Sequence, residues 1–278
     1  MAPVSPDPND VVIAVAQMVG GPDIGANLEA IARLTAEAAS RGARLVVFPE
    51  AAMFDFTASA EAIAAVARSE GIRFEAALRD LAIEHDVAIV AGLYGEGQGR
   101  LATNTMVAWS PEGTVLGRYE KLHLYDAFHY RESEKNQTAP LQPDFGELTL
   151  FELDGLRFGL MNCYDIRFPE MSRLLVDRGA DVLLVASGWV SGPLKELHWQ
   201  TLLQARAIEN TCFVAASCQP PPLSVGHSMI IDPAGLPTAL VAAEQGLAIA
   251  RISRARLLEV RRTLPCLEHR RYAIVQKT

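Results

Sequence analysis

The chain reads as a single α/β domain, a large mixed β-sheet with helices outside it, and three observations predict this. Short runs of aliphatic and β-branched residues recur from end to end, helical segments alternate with them, and no linker, repeat or low-complexity block divides the series. The runs are VVIAVAQ from Val11, RLVVFPE from Arg44, VAIVAGLY from Val87, TMVAWS from Thr105, TVLGRYEK from Thr114, RFGLMN from Arg157, DVLLVAS from Asp181, CFVAASC from Cys212, SMIIDP from Ser228 and LAIARI from Leu247. Several are apolar almost throughout, which suits strands covered on both faces.

The helical segments follow in order. Asn27 to Arg41 is rich in Ala and Leu, and Gly42 stands where a C-terminal cap belongs. Ala60 to Glu84 holds one or two helices, with a break expected near Gly71. Pro169 to Asp177 opens on a proline, which a first helical turn tolerates. Pro193 to Asn210 spaces Leu194, Leu197, Thr201, Ala205 and Ile208 three and four apart, and one buried stripe is expected from them. SPEG at Ser110 and DPAG at Asp232 are turn sequences, and Pro220 to Pro222 reads as a surface loop.

Composition narrows the function. The 278 residues carry 25 basic and 33 acidic side chains, a net charge of −8, which argues against a surface built for nucleic acid or anionic lipid. No apolar run approaches the ~20 residues a membrane helix requires. Met1 to Asp10, rich in Pro, Asp and Asn, reads as a flexible tail and not a signal peptide, leaving residues 11–278 as the domain. Four cysteines give no disulfide framework, so a reduced, cytoplasmic protein is expected.

Three polar residues fall at strand ends. Glu50 closes ARLVVFPE, Lys121 closes GTVLGRYEK, and Cys163 closes GLRFGLMNC just before a helix. Catalytic groups of α/β folds collect beyond the carboxyl ends of strands. Cys163 is the nucleophile candidate, because a thiolate is favoured at a helix amino terminus and beside a cation. Cys212, Cys218 and Cys266 sit in apolar or unpatterned settings and read as structural. The histidines His123, His129, His198 and His227 lack the close spacing of a zinc site, and GEGQG at Gly95 lacks the pattern of a phosphate loop. No metal and no cofactor are expected.

The segments FPEAAMF around Glu50, RYEKLHLYD around Lys121 and MNCYDIRFPE around Cys163 resemble, in order and spacing, the three signatures of the nitrilase superfamily of carbon–nitrogen hydrolases. The likeness continues through HWQTLLQARAIEN, GHSMIIDPAG and LPCLEHRR, and KLHLYD, RES and CYDIRFPE are most similar to its Nit-type, omega-amidase-like branch. The resemblance implies an α-β-β-α sandwich, two sheets face to face between helices, and a homodimer. It implies hydrolysis of a small amide through a cysteine thioester, with Glu50 as base, Lys121 as stabilising cation and Cys163 as nucleophile. The backbone amide of Tyr164 would help hold the oxyanion, Glu132 would position substrate or Lys121, and Trp189 would form a pocket wall. For Arg167 a structural ion pair with Asp165, Glu170 or another acidic group is expected, with contact to a substrate carboxylate as the alternative, and His123 and His198 are expected to orient neighbours. The alternatives are an N-carbamoyl amino acid hydrolase, weakened by Ile166 where that branch often carries an arginine, a nitrilase, and a catalytically silent scaffold.

Overall fold

Two sheets face each other in the computed structural model, which describes residues 10–277. In chain order the elements begin β1 (Val11–Gln17), α1 (Ile24–Ser40), β2 (Leu45–Val47), α2 (Ala60–His85), β3 (Ala88–Glu96), β4 (Ala102–Trp109) and β5 (Val115–Glu120). Three short strands follow, β6 (Asp126–Ala127), β7 (Tyr130–Arg131) and β8 (Asn136–Gln137). Then come β9 (Leu150–Leu153), β10 (Leu156–Asn162), α3 (Pro169–Asp177), β11 (Val182–Ser187), α4 (Lys195–Asn210) and β12 (Phe213–Cys218). The last elements are β13 (Ser228–Ile231), β14 (Pro237–Val241), β15 (Gly246–Ile252) and α5 (Arg254–Thr263). The tail expected before Asp10 lies outside the described residues.

The first sheet runs β15-β1-β2-β3-β4-β5, with β8 against β4, and the second runs β14-β13-β12-β11-β10-β9. Each has a parallel centre, β1 to β3 in one and β10 to β12 in the other, flanked by antiparallel strands. β1 shows why its run is apolar on both faces. Val11, Ile13 and Val15 join the core that continues into the second sheet, while Ala14 and Ala16 pack with Ile31, Leu34, Phe74 and Leu78 of α1 and α2. On the far side of the second sheet lie Leu175 of α3 and Leu203 of α4. The layers are therefore helix, sheet, sheet, helix.

Two expectations are corrected here. α2 is one unbroken helix of 26 residues. Gly71 belongs to its buried stripe with Ile63, Ala67, Phe74 and Leu78, so burial along the whole length outweighs the ~1 kcal/mol a mid-helix glycine costs. In α4 the apolar stripe points the other way. Leu194, Leu197 and Ile208 are 66%, 58% and 44% exposed, and the buried residues are Lys195, Trp199, Leu203, Arg206, Ala207 and Asn210. The inward polar groups find partners in the backbone: Arg206 Nε donates to Ile166 O at 2.9 Å and Asn210 Nδ2 to Arg206 O at 2.9 Å, while Asn210 Oδ1 is buried without a donor. α4 thus ties down the backbone just after Cys163.

Both expected turns form, with Gly113 and Gly235 at φ +78° and +86°, conformations only glycine adopts without strain. β9, β14 and α5 had no expectation attached. β9 and β14 are sheet edges with mixed burial, and an edge strand needs no continuous apolar run.

Candidate active site

The sheets' facing strand ends carry the polar residues. Glu50 follows β2, and its backbone is pressed against β3 so closely that a Cβ on Gly92 would lie 2.6 Å from Glu50 Cα. Gln219, just beyond β12, donates to Glu50 O at 2.9 Å and fixes the bend from the opposite sheet. Lys121 extends the β4–β5 pairing by one rung, its N–H donating to Asn104 O at 2.9 Å. Cys163 follows β10 with φ +49°, and begins a 3-10 turn over Cys163–Arg167 that leads into α3.

Asp165 holds this elbow. Its carboxylate accepts from Asn162 N at 2.8 Å and Tyr119 Oη at 2.7 Å, and contacts His123 Nδ1 at 2.7 Å. The His123 ring stacks on Phe168 at 3.7 Å, so this histidine orients its neighbours, as expected. Arg167 is corrected: Asp165 is taken by these partners, and Arg167 instead lies over the Trp189 ring at 4.7 Å with its Nη2 3.5 Å from His198 Nδ1.

The charged centre is nearly dry. Lys121, 2% exposed, places Nζ 2.7 Å from Glu50 Oε1 and 2.8 Å from Glu132 Oε2. Asn104 Nδ2 donates to both carboxylates at 2.8 Å, and Gly188 N–H donates to Glu50 Oε2 at 2.8 Å. Tyr125 N–H donates to Glu132 Oε2 at 2.7 Å. Burial works against the ionised Glu50, but Lys121, Gly188 and Asn104 outweigh it and hold the carboxyl below its ordinary range. Burial also works against the ammonium of Lys121, and Glu132 and Glu50 reverse this, so it stays charged.

The thiol does not follow expectation. Burial first, and then the Glu50 charge, push Cys163 well above the ordinary thiol range, with Lys121 pulling the other way. The resting group is a neutral thiol beside an ionised carboxylate, because removing the group from water disfavours a second anion more than one ammonium favours it. Cys212 and Cys218 are pushed up to about 12 by burial alone in the main, and neither lines the pocket.

The pocket over Cys163 contains about 470 Å³ of unfilled space, part of it open to solvent. Glu50, Lys121, Cys163, Glu132 and Trp189 all line it. The Tyr164 side chain does not: its ring packs edge-on against Tyr125 at 5.2 Å and Phe168 at 5.3 Å, behind the wall. Sequence reasoning missed Asn104, Tyr125, Tyr130, Gly188 and Lys195, which line it as well. Asn104 carried a signal, an amide beside the apolar run TMVAW. Lys195 carried none, since a lysine opening a helix reads as solvated charge.

The sequence pattern of the carbon-nitrogen hydrolases matches residues 12–262. The chain is 36% identical over 251 residues to the deaminated glutathione amidase of Escherichia coli O157:H7, covering 89% of this chain and 92% of that one. It is 37% identical over 268 residues to that of Synechocystis sp., covering 92% and 97%. Among solved structures it is similar to a double mutant of the amidase from Nesterenkonia sp. AN1 in complex with acrylamide, with TM-score 0.81, 27% identity, and 94% and 97% coverage. It also resembles the C. elegans NitFhit protein, with TM-score 0.85 and 29% identity, over 94% of this chain and 65% of that one. A strand-end cysteine beside a buried glutamate–lysine pair, a sandwich of two sheets and a match across most of the chain agree: the protein belongs to the carbon–nitrogen hydrolases of the nitrilase superfamily.

Proposed function

We propose that this chain hydrolyses the amide of a small carboxylic or amino acid derivative through a thioester on Cys163, releasing ammonia or an amine. The observation that carries the reading is the buried Glu50–Lys121 pair beside the neutral Cys163 thiol in one small pocket. Glu50 takes the Sγ proton as sulfur attacks the amide carbon, and the carbonyl π pair moves to oxygen. Lys121 and the Tyr164 N–H stabilise that oxyanion. Collapse expels the amine with the proton from Glu50. Glu50 then deprotonates water, which attacks the thioester and releases the acid and the thiol. Glu132 and Asn104 hold Lys121 and Glu50 in place. Relatives named amidases favour an amide over a nitrile. A related amidase bears the acetamide moiety of fluoroacetamide covalently at its active site cysteine, in keeping with attack by sulfur.

Candidate substrates are short amides with a carboxylate at the far end, such as succinamate, alpha-ketoglutaramate or deaminated glutathione. The test is ammonia release from this panel, from matched nitriles and from N-carbamoyl amino acids. Amides should be fastest, and Cys163→Ala should lose essentially all turnover while remaining folded. Faster turnover of nitriles would remove the amidase label. Acid quenching of wild type during turnover should trap an acyl mass on the Cys163 peptide, and Cys163→Ala should show none.

A homodimer is part of this reading. Leu194, Leu197 and Ile208 form an exposed apolar row on α4, continued by Leu236, 64% exposed, in the neighbouring β13–β14 turn. A row of this kind is the usual mark of a surface that another chain covers. A cytoplasmic setting is supported by four free cysteines.

A further inference from the structure

The reacting end of the pocket has an excess of negative charge, since Glu50 and Glu132 share the ammonium of Lys121. An anionic substrate therefore needs a cation elsewhere in the pocket. Lys195 supplies one. It opens α4 after Leu194, whose left-handed backbone (φ +60°) turns the chain, and its side chain lines the pocket instead of reaching water. The residue is 5% exposed. Its Nζ stands over three rings, 3.9 Å from the centre of Phe128, 4.9 Å from Tyr125 and 5.7 Å from Trp189.

Among the described residues Lys195 pairs with no carboxylate. One N–H donates to Tyr125 Oη at 2.7 Å, which leaves two of three donors without an acceptor. Arg167, a second cation on Trp189, has a buried Nε with no acceptor either. Burial and the Arg167 charge pull the Lys195 ammonium below its ordinary range, so the arrangement disfavours its own charge until an anion arrives. A purely structural role explains this poorly. A lysine beginning a helix can place its amine in water, and an apolar side chain would fill the aromatic cage without desolvating a charge.

We propose that Lys195 is the specificity-determining residue of the pocket, receiving the carboxylate at the non-reacting end of the amide. Tyr125, whose hydroxyl oxygen already accepts from Lys195, keeps its own proton free to donate to the same carboxylate. The anion is then held away from Glu50 and Glu132, and the amide end is directed to Cys163. This rests on the amidase reading above. Phe128, 65% exposed, forms the outer wall of the cage and marks its open side.

The test compares kcat/KM for ammonia release from succinamate with that from pentanamide, which has no carboxylate, in wild type, Lys195→Met and Lys195→Arg. Wild type should prefer succinamate. Lys195→Met should cut that preference ~10–100-fold, as expected for one charge-assisted hydrogen bond, chiefly through KM. Lys195→Arg should retain most of it. Saturable labelling of Cys163 by chloroacetamide in each variant establishes that the pocket is intact. An unchanged preference in Lys195→Met overturns the assignment, and so does an equal fall for both amides, which would make Lys195 a structural residue. A wild type that turns over pentanamide without preferring succinamate overturns it while the amidase reading stands. Silence of the wild type toward every amide would remove the amidase reading and this inference together.

Discussion

At the scale of single residues, the site combines a depressed carboxyl with an elevated thiol. Glu50 must be ionised and Cys163 protonated for the proton to pass between them, and both conditions hold at neutral pH. The acid limb of kcat/KM should therefore fall below the ordinary glutamate range, with no rise through the ordinary thiol range. A rate that climbs with thiol ionisation would contradict the base role of Glu50. Glu50→Gln should slow acylation ~10²–10⁴-fold in a folded protein, the usual loss of a general base. The same shift has a stability consequence. A carboxyl whose folded pKa is depressed contributes stability above its unfolded pKa, and loses it as pH falls through the folded value. The thermal midpoint of wild type should thus drop in acid more steeply than that of Glu50→Gln. Asn104→Ala removes the donor shared by Glu50 and Glu132 and should lower kcat ~10–100-fold, as for hydrogen bonds to charged groups. An Asn104→Ala enzyme with wild-type kcat would show that Lys121 alone fixes the two carboxylates. The triad was legible because all three members end strands. Their elevated or depressed ionisation was not, because it depends on burial and partners that no local pattern reveals.

At the scale of elements, backbone contact between neighbours sets the geometry. The Cβ of Gly92→Ala would press into Glu50 Cα and Pro49 O, at 2.6 and 2.7 Å, where backbone atoms cannot yield as a flexible side chain would. The variant should lose about 1–3 kcal/mol in denaturant titration and most of its activity. An undisturbed protein would mean the β2–β3 contact has slack. α4 makes the opposite lesson concrete. The spacing of its apolar residues marks one row, yet the row faces outward, because Trp199, Leu203 and the hydrogen-bonded Arg206 and Asn210 form the inward side. Wild type should sediment as a dimer, and the double variant Leu197→Glu, Ile208→Glu should remain folded and sediment as a monomer. Equal masses for the two would leave the row without a partner. Strands buried on both faces are legible in the sequence; edges such as β14, five residues that open on a proline and are nowhere fully buried, are not.

At the scale of the whole molecule, the two sheets bring their strand ends to one pocket, and access through that pocket should govern reactivity. Cys163 is 7% exposed with an elevated thiol, whereas Cys266 is partly exposed. Simple electrophiles should therefore label Cys266 in proportion to concentration. Chloroacetamide, itself a small amide, should label Cys163 with saturation, and succinamate should protect only Cys163. Peptide mapping that finds non-saturable labelling of Cys163 would argue against binding before attack. The sequence by itself determined the strand runs, the turns, three chemical residues at strand ends and the superfamily they resemble, because burial period and turn chemistry are local properties. Only the tertiary structure decided that Lys121 meets Glu50 across 71 residues and Glu132 across 11, that α4 turns its leucines outward, and that Lys195 enters the pocket. Those facts depend on the order of strands in two sheets and on which group is desolvated beside which, and such pairings leave no mark on the spacing of residues along the chain.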